Sequence, residues 1–372
     1  MDNDIIDTIE GEVEEFSNDD LFNITSWGAD PSVRELIAQY KEGDIEKPEL
    51  QRKYVWDKKK ASRFIESLLL GLPVPSIFLA NTVDEKKLII DGFQRINTLH
   101  DYIDTQIWSG DDTKFKLWNT DLINERWRGK AYSDLNETDQ RRLRNSTIHA
   151  IIFEQKHPQD DSGLFQVFER INTGGITLND QEIRNCVYQG KMNSLLLELN
   201  RLPDWKMHFN GKDDARMKDM ELILRFFVLN NESVYHSEAK NISLKKLLNE
   251  YMQKYVKADD AFIQSKREDF TKTIKFINDV FGEVAFFNYQ NDSDKIRKRL
   301  YPTIYDSIMI ATSIALKRNP DVQYNKDVLC QRRKNLVQNP DYRKSITSGT
   351  MLVENIKNRI GLALNLLYDM RL

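Results

Sequence analysis

The chain has 372 residues, with 58 Asp and Glu against 54 Lys and Arg, so its formal net charge is -4. This length suggests two domains, or one domain with a large extension. The near balance of charge argues against a protein dominated by nonspecific affinity for nucleic acid. Hydrophobic residues make up 40% of the chain, which excludes disorder for most of it, and two cysteines exclude a disulfide scaffold and a Cys-based zinc site.

The first 20 residues contain nine acidic residues and no basic one. A signal peptide needs basic residues and then an apolar run, and a membrane-spanning helix needs about 20 apolar residues, so we expect a cytoplasmic protein without a membrane partner. The favoured interpretation of the acidic stretch is a solvated, flexible tail. The alternative is a mimic of nucleic acid that shields a basic groove.

Residues 30–190 predict an α+β domain. In chain order we expect a helix capped by Asp30 and ended by Gly43, an edge strand at 45–50, a helix from Asp57 to Gly71, strands at 76–80 and 87–90, a helix from Gly92 to about Tyr102, an irregular Trp-rich stretch at 105–130, a basic helix around Arg141, Arg142 and Arg144, and a strand at 147–153.

From residue 165 onward the pattern predicts helices and no further strand. Expected helices lie at 163–171, 180–189, 191–200, 216–229, 244–256, 261–281, 302–317 and 350–370. The predicted organisation is therefore an acidic tail over 1–29, an α+β domain over 30–190 and a mostly helical domain over 191–372. Basic residues are concentrated in the C-terminal part of the chain, for example Lys295, Arg297, Lys298 and Arg299. The favoured interpretation of these residues is a solvated helix face, and the alternative is a patch that faces DNA.

The most informative stretch spans residues 88–99, where an apolar strand ends on Asp91 and Gly92 permits a tight turn into a helix. A helix N-terminus presents unpaired N–H groups and the positive end of its dipole, which suits phosphate oxygens. Arg95 adds a planar guanidinium able to grip a phosphate with two hydrogen bonds. Asp91 could hold a hydrated metal ion or orient a water molecule, and Gln94 could position that water.

A purely structural interpretation of this corner is equally compatible with the residue types. Asp91 would then cap the helix and Arg95 would pair with Asp91. The residues alone leave both interpretations open.

Two further stretches carry weaker signals. Gly174 and Gly175 lie between two predicted helices and could bring backbone N–H groups close to an anion, although an ordinary helix–turn–helix link explains them as well. Gln51 and Arg52 precede a Tyr and Trp pair and could line a nucleotide pocket with it. The alternative is an amphipathic strand whose aromatic side chains, including Trp56, lie in the core.

Together, the three stretches resemble the N-terminal domain of the GmrSD-type modification-dependent restriction endonucleases, a ParB/sulfiredoxin-like fold of bacterial phage-defence proteins. The family's central motif reads Asp-Gly-Gln-Gln-Arg, and Phe93 departs from it at the first Gln. The likeness covers about residues 30–230. The matching residues are Asp91, Gly92, Gln94, Arg95 and Thr98 in the central motif, Gln51, Arg52, Tyr54 and Trp56 in a second element, and Asn172, Thr173 and Gly175 in a third.

The resemblance implies nucleotide binding and hydrolysis, often of GTP, coupled to DNA restriction. In larger members a separate His-Asn-His nuclease domain cuts the DNA. Such a nuclease needs His, and the chain has none after His236, so we expect cleavage to be supplied by a partner nuclease.

The favoured hypothesis is a nucleoside-triphosphate-binding protein of a defence system that acts on DNA and could form a homo-oligomer. The nucleotide would bind at residues 92–95 and Thr98, with Gln51 and Arg52 on one side and Asn172, Thr173, Gly174 and Gly175 on the other. Hydrolysis would use Mg²⁺ together with Asp91, Gln94 and Arg95. The alternatives are a non-catalytic, nucleotide-switched DNA-binding or sensor module, and a nuclease activity of the ParB-like domain itself.

Overall fold

The computed structural model describes residues 6, 24–47, 56–82, 85–155, 167, 179–212, 214, 216–235, 237–289, 295–320 and 324–372. These residues divide into two compact units, one within Ser17–Val187 and the other within Tyr188–Leu372, which Ile6 joins. The first unit combines a sheet with helices and the second is mostly helical, so the expected α+β class is confirmed. The division lies close to residue 190, where the sequence predicted the start of the helical domain.

The first unit is built on a mixed five-stranded sheet with the strand order β1-β7-β3-β4-β2. Strands β3 and β7 pair in parallel, as do β2 and β4, and the other neighbours are antiparallel. Its elements are β1 (Ile24–Ala29), α1 (Val33–Glu42), β2 (Ile45–Glu46), α2 (Lys58–Leu70), β3 (Ile77–Asn81), β4 (Lys87–Asp91), α3 (Phe93–His100), β5 (Ile107–Trp108), β6 (Thr113–Lys114), α4 (Glu137–Asn145), β7 (Ala150–Gln155) and α5 (Asp180–Val187).

Both faces of this sheet are covered. Leu79 and Ile89 point to one face, where they join the core formed with helices α1 to α4. Leu88 and Ile90 point to the other face and pack with Ile183 of α5. Successive residues of a strand point to opposite faces, so β4 contributes to both cores before it ends at Asp91.

The first helix begins later than the sequence predicted. Ser32 is its N-cap: the Ser32 hydroxyl accepts a hydrogen bond from the backbone N–H of Glu35, and the Glu35 carboxylate accepts one from the backbone N–H of Ser32 at 2.7 Å. Asp30 lies instead 2.8 Å from His149 Nδ1. The prediction that Asp30 caps this helix is wrong, because a complete capping box lies two residues further along.

Strand β1 occupies residues that the sequence assigned to the acidic tail. All six of its residues pair with β7, from Ile24 opposite Gln155 to Ala29 opposite Ala150. The folded unit therefore includes residues before Asp30. An edge strand with four exposed positions has no alternating apolar pattern, which explains why the sequence did not indicate it.

The other predicted elements of this unit agree with the structure where it describes them. Asp57 caps α2 and Gly71 ends it in a left-handed conformation. The predicted edge strand at 45–50 is present as β2 at the sheet edge, and its residues from 48 onward lie outside the described residues. Of the predicted helix at 163–171, only Val167 is described. Trp56 is half-buried against Phe64, with the ring centroids 5.6 Å apart.

The second unit contains ten described α-helices and one short hairpin. Strands β8 and β9 pair antiparallel, which contradicts the expectation that no strand follows residue 165; both are short, and β9 is mostly basic rather than alternating. Its elements are α6 (Lys191–Asn200), α7 (Pro203–Lys206), α8 (Lys218–Leu229), α9 (Glu232–Tyr235), α10 (Leu244–Lys254), α11 (Asp260–Phe281), β8 (Phe287–Tyr289), β9 (Ile296–Leu300), α12 (Pro302–Arg318), α13 (Lys326–Gln338), α14 (Pro340–Thr347) and α15 (Val353–Tyr368).

A buried charge cluster joins three helices of the second unit. Arg225 Nη2 lies 2.7 Å from Asp306 Oδ2, and Arg359 Nη2 lies 3.6 Å from the same oxygen. Asp306 and Arg359 are fully buried and Arg225 nearly so. Within the described part of the chain, no helix combines the length and apolar composition needed to cross a membrane.

Candidate functional site

The turn from β4 into α3 forms the centre of the candidate site. Gly92 has φ 106° and ψ 4°, a left-handed conformation that disfavours residues with a Cβ. It occupies the N-cap position and has no side chain to cap the first-turn N–H groups of α3, as Ser, Thr, Asp or Asn would. A Cβ at Gly92 would lie 2.5 Å from Ile77 Cγ2, so the turn packs directly on the start of β3.

Arg95 is held in place by two acceptors at the same sheet end. Its Nη2 donates to Asp91 Oδ2 at 2.7 Å and to the backbone oxygen of Ser76 at 3.1 Å. The Arg95 side chain is 13% exposed and that of Asp91 46%. Arg95 Nε is buried and has no hydrogen-bond partner among the described residues. Both of these hydrogen bonds come from Nη2, so Arg95 does not bind the Asp91 carboxylate with two nitrogens.

The structural interpretation of the corner predicted that Arg95 pairs with Asp91 and that Asp91 caps α3, and the geometry agrees with the first point only. Arg95 pairs with Asp91, as that interpretation requires. Asp91 does not cap α3, because Gly92 is the N-cap residue and no side chain bonds to the helix start there.

Gln94 and Thr98 have different environments. Gln94 Oε1 accepts a hydrogen bond from the backbone N–H of Trp56 at 3.2 Å. Thr98 is fully buried, and its hydroxyl donates to the backbone oxygen of Gln94 at 2.6 Å. The structure thus brings Asp91, Gly92, Gln94 and Arg95 together, while Thr98 lies in the core one turn along the helix.

Gln51 and Arg52 lie outside the described residues, but both flanks of their segment contact the first turn of α3. Lys47 Nζ lies 4.5 Å from the centroid of the Phe93 ring, and Trp56 bonds to Gln94 as above. Strand β2 runs parallel to the start of β4, with Ile45 opposite Lys87 and Glu46 opposite Leu88, so the chain leaves β2 in the direction of the β4 end.

Lys47 is a basic residue of this corner that the sequence did not indicate. Burial lowers the pKa of its ammonium group below the usual value. No carboxylate among the described residues lies within ion-pair distance of it. Lys47 directly follows β2, and β2 pairs with β4. This pairing places Lys47 near the corner, and the sequence alone does not show it.

Asn172, Thr173, Gly174 and Gly175 also lie outside the described residues. On the N-terminal side, Val167 packs in the same small core as Ile90, the residue before Asp91. On the C-terminal side, the predicted capping box of α5 is present, with Asn179 and Glu182 each accepting from the other's backbone N–H at 2.7–2.8 Å. Cys186 is buried in that core, as predicted, and burial raises the pKa of its thiol to about 12.

A surface cavity lies on α4, and none of the predicted site residues lines it. It has a volume of about 430 Å³ and is lined by Thr138, Arg141, Arg142, Asn145 and Ser146. Two guanidinium groups and no carboxylate line it. No cluster of three or more His, Cys, Asp or Glu suited to a metal ion occurs in the described part of the chain.

Residues 33–189 match the family model of the GmrSD restriction endonuclease N-terminal domain. The chain contains a GmrSD N-terminal domain. The match begins at the first residue of α1 and includes the corner between β4 and α3, so the expected family is confirmed for this part of the chain. A comparison of the chain with curated proteins finds no match. The GmrSD domain indicates a component of a restriction or anti-phage system.

Proposed function

We propose that the GmrSD N-terminal domain binds a nucleoside triphosphate at the corner between β4 and α3 and hydrolyses it, and that the chain acts on DNA with a partner nuclease. The observation that carries the proposal is the excess of positive charge at this corner. Arg95 pairs with Asp91, and Lys47 lies over the ring of Phe93, the first residue of a helix whose N-cap is a glycine.

The buried nitrogen of Arg95 supports an anion site. A buried guanidinium N–H without a partner costs free energy, which an acceptor from a ligand would recover. The N–H groups at the start of α3 would bind the same phosphate through the backbone. Gln51 and Arg52 belong to a segment whose two flanks contact this turn, and we propose that they approach the phosphates or the base from that side.

Mg²⁺ fits this corner as an ion that arrives with the nucleotide. It commonly binds through one or two carboxylates, water and substrate phosphates, and Asp91 supplies one carboxylate that is half exposed. When bound, Mg²⁺ neutralises phosphate charge. Gln94 Oε1 already accepts from Trp56, so we assign the orientation of the attacking water to Asp91 and assign to Gln94 the tethering of the neighbouring segment.

Phosphate release from GTP, ATP and CTP by the full chain with Mg²⁺ tests this proposal. Arg95→Lys should lose nucleotide affinity nearly as fully as Arg95→Ala, because an ammonium group lacks the planar fork. Arg34→Ala, which removes an exposed arginine of α1, is the matched control and should bind and hydrolyse normally. Neither release nor binding at millimolar nucleotide would sink the proposal.

Asp91→Asn separates binding from turnover. We expect it to keep most of the nucleotide affinity and to reduce hydrolysis by roughly a hundredfold or more, the scale of losing one positioned catalytic group. The variant also weakens the ion pair with Arg95, so its melting temperature must be measured. Unchanged turnover per folded molecule would show that Asp91 only positions Arg95.

A second candidate function is a non-catalytic DNA-binding or sensor module, and the cavity on α4 favours it. Guanidinium groups in a cavity without a described carboxylate suit phosphate oxygens of a DNA backbone. Replacing Arg141 and Arg142 by Ala should then lower the salt dependence of DNA affinity by about 1 for each lost contact. A plasmid cleavage assay with Mg²⁺ or Mn²⁺ tests the further alternative of direct nuclease activity.

A further inference from the structure

Strand β9 and the residue before it form a strongly basic surface, called here the β9 surface. Four of the six residues from 295 to 300 are Lys or Arg, and all four are exposed. Two acidic residues, Asp292 and Asp294, precede them in the hairpin sequence, so the positive charge predominates. The basic residues are Lys295, Arg297, Lys298 and Arg299.

Ile6, the one described residue before Ile24, pairs with the end of this strand. Ile6 forms a parallel β-bridge with Leu300, and Phe287 of β8 pairs with the same residue. Ile6 is 5% exposed and Leu300 is fully buried. A strand edge offers unpaired N–H and C=O groups to an added segment, and a buried isoleucine fixes where that segment docks.

Ile6 lies within the most acidic stretch of the sequence. Nine of residues 1–20 are Asp or Glu and none is basic, and Asp4 and Asp7 are within two residues of Ile6 along the chain. The remaining 352 residues hold 54 Lys and Arg against 49 Asp and Glu, so the rest of the chain is net positive. Tethering two oppositely charged segments in one chain gives them a high effective concentration for each other.

We propose that the β9 surface binds the phosphate backbone of DNA, and that the acidic N-terminal segment, anchored by Ile6, occupies this surface in the free protein. Carboxylates of the segment take the place of phosphates, so DNA must displace them. The inference rests on the part of the proposed function in which the chain acts on DNA. It does not depend on nucleotide chemistry at the corner between β4 and α3.

Four full-length proteins test the inference by their affinity for a labelled DNA duplex at low and high salt. They are the unchanged chain, a tail-neutral variant, a strand-neutral variant and the combination of both. The tail-neutral variant carries Asp2→Asn, Asp4→Asn, Asp7→Asn and Glu10→Gln, and the strand-neutral variant carries Arg297→Ala, Lys298→Ala and Arg299→Ala.

We expect the tail-neutral variant to bind DNA about tenfold more tightly at low salt and to approach the unchanged chain at high salt. The strand-neutral variant should bind more weakly, with a salt dependence lowered by about 1 for each cation that contacted a phosphate. The combination should match the strand-neutral variant, because the removed carboxylates then have no basic surface to cover.

Two results would overturn the inference. If neutralising the tail tightens binding equally with and without the basic residues of β9, the tail acts only through overall charge repulsion. If it changes nothing at low salt, the tail does not cover the surface at all.

Ile6→Ser tests the anchor without changing any charge. Losing the anchor should raise DNA affinity as the tail-neutral variant does and should speed proteolysis near the N-terminus. Val328→Ser, an apolar residue of the same unit that is 47% exposed, is the matched control and should change neither. Equal DNA affinity in Ile6→Ser and the control would contradict the anchoring role. If Ile6→Ser has a lowered melting temperature, the DNA affinities of the four charge variants decide whether the tail covers the β9 surface.

Phosphate release from nucleoside triphosphates is measured on the same proteins. We expect none of these variants to change it. If no protein releases phosphate while the four affinities follow the expected pattern, the nucleotide proposal fails and the role of the β9 surface stands.

Discussion

Replacing Gly92 by Ala should destabilise the GmrSD N-terminal domain by more than its backbone conformation alone explains. The φ angle of 106° costs an L residue about 1–2 kcal/mol. The new Cβ would also lie 2.5 Å from Ile77 Cγ2, an overlap of the kind that costs about 1–3 kcal/mol in a packed core. The expected loss in free energy of unfolding is therefore about 2–5 kcal/mol.

Gly43 provides the matched control. It ends α1 with φ 81°, and a Cβ there would meet nothing within 4 Å. Gly43→Ala should therefore cost only the conformational part, about 1–2 kcal/mol. The difference between the two variants isolates the contact with Ile77 and corresponds to a shift of roughly 1 M in the urea midpoint.

Urea unfolding followed by Trp fluorescence measures both variants, since five of the six Trp residues lie before residue 128. Ile77→Ala removes the Cγ2 atom that the new Cβ would meet. Gly92→Ala should therefore cost about 1 kcal/mol less in the Ile77→Ala background than in the unchanged chain, whereas Gly43→Ala should cost the same in both. Equal losses for the two glycines, or strictly additive effects with Ile77→Ala, would refute the steric argument.

Three further predictions concern buried groups. Burial lowers the pKa of His208 to about 4, so between pH 6.5 and 4 the unfolded state binds more protons than the folded state. As the pH is lowered through this range, the free energy of unfolding of the second unit should fall by up to about 1.4 kcal/mol per pH unit. Thermal melts should show a smaller fall in His208→Gln. Cys186, with its pKa raised by burial, should resist a thiol reagent until urea is added, whereas exposed Cys330 should react at once. Asp306→Asn leaves two buried arginines without their carboxylate and should cost about 3–5 kcal/mol in urea unfolding, unlike the exposed Asp260→Asn.

The features predicted correctly from the sequence depend on residues close together in the chain. Asp57 and Gly71 bound α2, and Asn179 with Glu182 starts α5, because each cap involves groups within four residues. The positive φ at Gly92 follows from a glycine between a strand and a helix. The corner of the candidate site could be located this way, since its motif is contiguous.

The features that the sequence did not indicate depend on pairing between distant segments. Arg95 bonds to the backbone oxygen of Ser76, 19 residues earlier, only because β3 and β4 are neighbours. Lys47 reaches Phe93 only because β2 pairs with β4 in parallel. A local pattern shows neither the strand order nor its direction, so the surroundings of the motif could not be derived from it.

Lys47 offers the sharpest distinction between a structural and a functional corner. Asp91 and Arg95 neutralise each other, and a purely structural corner would need no further cation. Lys47 adds a positive charge whose burial is unfavourable and is only partly offset by the ring of Phe93.

We therefore expect Lys47→Met to have opposite effects on stability and on binding. Met keeps an unbranched apolar chain against Phe93 and removes the charge, so the urea midpoint should stay the same or rise. Nucleotide affinity should fall about tenfold or more, because a phosphate would lose a partly buried cation. Lys41→Met, which removes an exposed lysine of α1 that pairs with Asp104, should leave nucleotide affinity unchanged. If Lys47→Met lowers stability and leaves nucleotide affinity intact, the positive charge at this corner is structural and the phosphate site lies elsewhere.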